Sequence, residues 1–164
     1  MKNLTTRKLL RAAVIAALYA ALTLAFAPIS YGPFQFRISE ALAILPLFCP
    51  EAVIGLTIGC FIANTLSAYP WDVVFGTLAT LCAATLTCLI GKGMKKDWRV
   101  AVGIIPPITV NAFVVPFLFL AAIELKELYL ISVLQVGGGQ AAVLVALGIP
   151  LYFALKRVSD KIFS

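Results

Sequence analysis

Lys8-Leu9-Leu10-Arg11-Ala12-Ala13-Val14-Ile15-Ala16-Ala17-Leu18-Tyr19-Ala20-Ala21-Leu22-Thr23-Leu24-Ala25-Phe26-Ala27 carries no charge after Arg11. An apolar helix needs about 20 residues to cross the hydrocarbon of a bilayer, and this run has that length. It lacks a small-residue cleavage site before the next polar turn, so it reads as a first transmembrane helix and not as a removable signal. The rest of the chain agrees. Of its 164 residues 62% are hydrophobic and 12% charged, far too little polarity to cover a soluble domain. The sequence predicts an all-α integral membrane protein, a single domain over 1–164.

The net charge of +6 raises nucleic acid as a partner until the positions of the charges are read. Eleven of the thirteen Lys and Arg fall into three clusters: Lys2, Arg7, Lys8 and Arg11; Lys92, Lys95, Lys96 and Arg99; Lys156, Arg157 and Lys161. The positive-inside rule places all three in the cytoplasm, which puts both termini inside and makes the number of crossings even. The charge reports topology in a lipid bilayer, and no nucleic-acid partner is expected.

Pro, Gly and charge punctuation divides the chain into six segments, at about 8–27, 37–48, 50–68, 71–91, 100–123 and 128–155. The expected fold is therefore a six-transmembrane-helix bundle with cytoplasmic N- and C-termini. Residues 28–33 and 124–127 are expected as external turns, and Tyr69-Pro70 as the break before the fourth helix. The second segment is too short to span comfortably, so it belongs inside the bundle or tilted near the outer surface. Pro106-Pro107 and Pro116 are expected to interrupt the fifth helix, and Gly137-Gly138-Gly139 the sixth. Such breaks face protein or a watery cavity, and beside Gln140 the glycines suit close approach of a ligand or another backbone.

Lipid gives helices no hydrophobic reason to associate, so small residues that let backbones approach take that place. Ala13, Ala17, Ala21 and Ala25 form one such row on the first helix, and Ala12, Ala16 and Ala20 an adjoining one. Packing against a neighbouring helix and docking of another membrane subunit are both open.

The polar residues form a depth series. Arg37, Ser39 and Glu40 open the second helix on the outer side, Asp72 opens the fourth beside Tyr69 and Trp71, and Asn64 lies in the outer half of the third. Asn111 and Gln140 sit near mid-membrane. A charge at the centre of a span costs roughly 2.5 to 3.5 kcal/mol on insertion scales, so these groups need partners or a purpose. Arg37 and Glu40, three residues apart, could pair with each other. Asp72 could cap its helix, the amides could join helices, and Trp71 could belong to the interfacial aromatic belt. Together they suit a polar, planar ligand entering from outside.

Other chemistry is sparse. Histidine is absent, and Cys49, Cys60, Cys82 and Cys88 form no CxxC pair, so neither a metal site nor a disulfide framework is expected. Gly91-Lys92 is followed by Gly93 and lacks the phosphate-loop pattern, so the chain is not expected to hydrolyse ATP itself. No cofactor is implied.

Gln35-Phe36-Arg37-Ile38-Ser39-Glu40-Ala41-Leu42 with Leu45-Pro46, Pro50-Glu51-Ala52, Gly59-Cys60-Phe61-Ile62-Ala63-Asn64 and Asp72-Val73-Val74-Phe75-Gly76-Thr77-Leu78-Ala79-Thr80 resemble the QueT family over most of the chain. These are S components of energy-coupling-factor (ECF) importers for queuosine precursors. The resemblance implies a six-helix subunit that captures a deazaguanine-type base outside. An EcfT-like transmembrane coupling subunit and two cytoplasmic ATPases would then drive its import. It implies docking through the first helix, on Ala13, Ala17 and Ala21, and a loop after that helix that helps to close the site. Arg37, Glu40, Asn64, Asp72, Asn111 and Gln140 are the expected ligand contacts, with Tyr31 or Trp71 stacking. The alternatives are an S component for another vitamin-like compound, or a structural membrane subunit that binds no small molecule. A small membrane enzyme, with only Glu40 or Asp72 for acid-base work, is a further rival.

Overall fold

A computed structural model describes residues 2–32, 34–66, 71–94, 97–123 and 128–159. The expected break at Tyr69-Pro70, the turn at 124–127, Pro33, Lys95, Lys96 and Lys161 lie outside the described residues. The described chain is helical: α1 (Lys2–Ala25), α2 (Ala27–Ser30), a 3-10 helix (Ile38–Leu47), α3 (Glu51–Thr65), a π turn (Asp72–Gly76) leading into α4 (Thr77–Gly93), α5 (Arg99–Gly103), α6 (Ile105–Ile123), α7 (Tyr129–Val143), a second π turn (Leu144–Gly148) and α8 (Ile149–Lys156). Four of these runs are long and apolar enough to cross a membrane, namely Thr5–Ala25, Asp72–Gly93, Arg99–Phe117 and Tyr129–Lys156. The protein is an all-α membrane protein.

The 3-10 helix is the organising feature. Ile38–Leu47 buries eight of its ten residues, so the second segment is central and not peripheral. Its 3-10 winding rises about 2.0 Å per residue, which lets ten residues cover about 20 Å where an α-helix would cover about 15 Å. Ile44, fully buried, and Leu47 pack there with Val100, Ile104, Leu144 and Tyr152.

Successive legs alternate in direction. Thr23 and Tyr19 of α1 meet Ser39 and Glu40 at the start of the 3-10 helix, whereas Leu47 at its end lies against Gly91 and Gly103. α3 then runs parallel to α1. A Cβ on Gly55 would stand 2.7 Å from the Ala12 carbonyl oxygen, and one on Gly59 would stand 2.7 Å from that of Ala16. Glycine is required at both positions because the backbones touch, the close approach that drives association in lipid. Ala12, Ala16 and Ala20 are accordingly buried, while Ala13, Ala17, Ala21 and Ala25 are exposed. The two alanine rows thus part company: one packs α1 on α3, the other is a free outer face.

Three local expectations change. Residues 27–30 form a helical turn instead of open loop, because Pro28 sits in its first turn, where a missing N–H costs nothing. The fifth segment breaks at Ile104, not within the prolines: Pro106 and Pro107 lie in the first turn of α6, and Pro116 lies inside a continuous helix. The glycine triplet does not interrupt α7 either, since the helix continues through it and the irregular turn comes at Leu144–Gly148. The triplet supplies space instead. A Cβ on Gly139 would lie 1.8 Å from the Phe34 carbonyl oxygen.

Candidate functional site

The segment from Tyr31 to Glu40 brings the charges together. It returns from α2 through a turn in which Gln35 N–H donates to the Gly32 carbonyl and Gln35 takes φ of 45°. A non-glycine residue in that region is uncommon and persists where surrounding contacts fix it. Here the Phe34 carbonyl presses on Gly139, and the Phe34 and Phe36 rings stack outside at 5.8 Å. The backbone then enters the bundle at Arg37, which is 7% exposed.

Arg37 and Glu40 do not pair with each other among the described ion pairs, although three-residue spacing stacks them one 3-10 turn apart. Arg37 Nη2 lies 3.5 Å from Asp72 Oδ2, and its guanidinium covers the Tyr31 ring at 5.4 Å. Tyr31 donates its hydroxyl to the Ala63 carbonyl at 2.6 Å, and burial pushes its phenol above the ordinary range, with Arg37 opposing. Glu40 has other partners. Tyr19 donates its hydroxyl to Glu40 Oε1, and Gln140 Nε2 donates to Glu40 Oε2 at 2.8 Å.

Asn64 ties α3 to the start of α4. Its Nδ2 donates to the Asp72 carbonyl at 2.8 Å, at the first residue of the π turn. Gly76 leaves the room required, since a Cβ there would meet Asn64 Nδ2 at 2.9 Å. The result is two neighbouring groups: the half-buried Tyr31 and Asp72 with the buried Arg37 and Asn64, and one turn along, the buried Tyr19, Glu40 and Gln140. Four buried polar atoms among the described residues have no hydrogen-bond partner, Ser30 Oγ, Arg37 Nε, Asn64 Oδ1 and Thr77 Oγ1, and all belong to this end of the bundle.

Residues 9–157 match the model of the QueT transporter family. The chain belongs to that family. It is 42% identical over 101 residues to the queuosine precursor transporter QueT of Lactococcus lactis subsp. cremoris (strain MG1363), a match covering 60% of this chain and 59% of that protein. The chain thus spans about three fifths of the length of the curated relative it matches. No solved structure matches it. With its four long apolar helices, this QueT-family chain is a multi-pass protein of the cell membrane.

Not every expected residue of this QueT-family chain joins the cluster. Trp71 is 58% exposed, with its ring 6.2 Å from Phe75. Asn111 is buried in α6 beside Ala112, which packs towards Gly137, and no described hydrogen bond joins it to Glu40 or Arg37. Conversely, Tyr19 and Thr23 were not singled out in the sequence. Thr23 shares a 2.6 Å hydrogen bond with Ser39, and both are fully buried. The available signal was their place on the buried stripe, at 12, 16, 19, 20 and 23, where two polar-tipped side chains interrupt a row of alanines.

Proposed function

We propose that this chain is the substrate-capturing S component of an ECF-type importer, a single domain that crosses the membrane six times with both termini in the cytoplasm. Its polar end faces outward and takes a queuosine precursor, a deazaguanine-type base. The observation that carries this reading is the buried pair Arg37 and Glu40 with the half-buried Asp72, tied to Asn64 and Gln140, inside an apolar bundle of a QueT-family chain. Drawing an arginine and two carboxylates out of water is costly, and such groups in a membrane mark substrate paths. The name of the Lactococcus relative supports the cargo. A deazaguanine base offers ring and exocyclic N–H donors to carboxylate or amide oxygens, and a carbonyl to a guanidinium.

The described basic residues support the orientation. Arg11, Lys92, Arg99, Lys156 and Arg157 gather at the opposite end, where Arg11 pairs with Glu51 at 3.1 Å and Arg99 Nε donates to the Tyr152 hydroxyl at 2.9 Å. Energy would come from an EcfT-like coupling subunit and two cytoplasmic ATPases. The exposed row Ala13, Ala17 and Ala21 is the docking face, since its sister row is already used by α3. The role is not enzymatic.

Purified protein, released from membranes of cells grown with a queuosine precursor, is expected to carry that base, identified by mass spectrometry. It is also expected to bind the free base by calorimetry. A protein that yields no base and binds none is a structural subunit, and this reading then fails.

A further inference from the structure

Of the four buried polar atoms without partners, two are hydroxyls that can turn to donate or accept. The other two have fixed polarity. Arg37 Nε can only donate. Asn64 Oδ1 can only accept, because Asn64 Nδ2 is held on the Asp72 carbonyl and that bond sets which end of the amide is which. Both residues are held by Asp72, Arg37 through its carboxylate and Asn64 through its backbone, and both are at least nine-tenths buried. Buried donors and acceptors left unmade are expensive, so a spare donor on Arg37 and a spare acceptor on Asn64, both tied to Asp72, call for a partner.

We infer that Arg37 Nε, Asn64 Oδ1 and the Asp72 carboxylate read a ligand edge that carries one acceptor and two donors, the edge of a 2-amino-4-oxopyrimidine ring. This rests on the function proposed above and divides its labour. Arg37 donates to the ring carbonyl, Asn64 Oδ1 accepts from the ring N–H, and Asp72 accepts from the exocyclic amine. Glu40 has both oxygens engaged by Tyr19 and Gln140, and is a positioning residue that holds the 3-10 helix on α1 and α7. A 6-amino ring with no second amine offers one donor beside one acceptor and leaves an oxygen of the trio facing C–H. The edge therefore selects guanine-like over adenine-like bases.

The test is calorimetry on the purified full chain in nanodiscs, with 7-deazaguanine, 7-deazaadenine and 7-deazahypoxanthine, which lacks the exocyclic amine. The wild type is expected to prefer 7-deazaguanine over each of the others by about tenfold or more. Asn64→Leu is expected to lower affinity for 7-deazaguanine and to bring its ratio to 7-deazaadenine close to one. Arg37→Lys, which keeps the charge for Asp72 but has no Nε, does the same and stands in if Asn64→Leu does not fold. Gln140→Leu weakens all three bases equally. Variants that bind with the wild-type ratio overturn the inference while leaving the proposed function intact. A wild type that binds none of the three bases overturns both.

Discussion

The two ends of the bundle treat their charges differently. At the basic end the charges drawn out of solvent have partners in place, Arg11 with Glu51 and Arg99 between the Phe48 and Tyr152 rings at 5.4 and 5.5 Å, while the exposed Lys156 pairs with Asp97. At the other end Arg37, Asp72 and Glu40 are also bonded, yet every partnerless buried polar atom among the described residues is found there. A bundle that needed charges only to set topology or join helices would satisfy both ends alike. Spare capacity confined to one end, in a buried environment where it is costly, is what the proposed recognition role would use.

The largest effect on base affinity is expected at Gly139. Gly139→Ala drives a methyl into the Phe34 carbonyl and must displace the loop that delivers Arg37; overpacking of this kind costs about 1–3 kcal/mol. The thermal unfolding temperature should fall accordingly, and base affinity should drop by about tenfold, the loss of roughly one hydrogen bond from a charged group. Unchanged affinity would mean that the loop does not support the site. Next comes Glu40→Gln, which removes the charge that the Tyr19 hydroxyl and the Gln140 amide both face and is expected to cost about 1.5–3 kcal/mol in stability, with weaker binding. A variant that binds the base as tightly as wild type removes Glu40 from the recognition end altogether.

At the basic end, Arg11→Ala leaves the Glu51 carboxylate, 8% exposed, without its ion pair. The expected loss is about 1–3 kcal/mol in denaturation, with base affinity unchanged. A change in affinity would erase the distinction between the ends. The smallest effect on the isolated chain is at Ala17, on the exposed row. Ala17→Leu should shift stability by no more than about 0.5 kcal/mol. Co-purification with the coupling subunit should be lost, and an intact complex would count against that face as the docking surface.

Much of this was legible before the fold was known, and for stated reasons. Hydropathy and the basic clusters gave a helical membrane protein because lipid forbids open backbone and charge placement follows the membrane. Arg37, Glu40, Asn64, Asp72 and Gln140 stood out because polar groups in apolar runs are few. Trp71, expected either to stack on the ligand or to belong to the interfacial belt, is exposed, as an aromatic ring at a membrane interface would be. Tyr19 was hidden because a tyrosine among alanines is an ordinary core residue until a carboxylate is brought to it.

By itself, then, the sequence determined the medium, the helices and the short roster of polar groups, all set by local composition and length. Only the tertiary structure decided the pairings. Arg37 joins Asp72, Glu40 joins Tyr19 and Gln140, and one alanine row is consumed while its neighbour stays free. Those choices depend on the 3-10 winding of Ile38–Leu47 and on backbone approach at Gly55, Gly59 and Gly139, where contacts between residues far apart in the chain fix which side chains can reach each other.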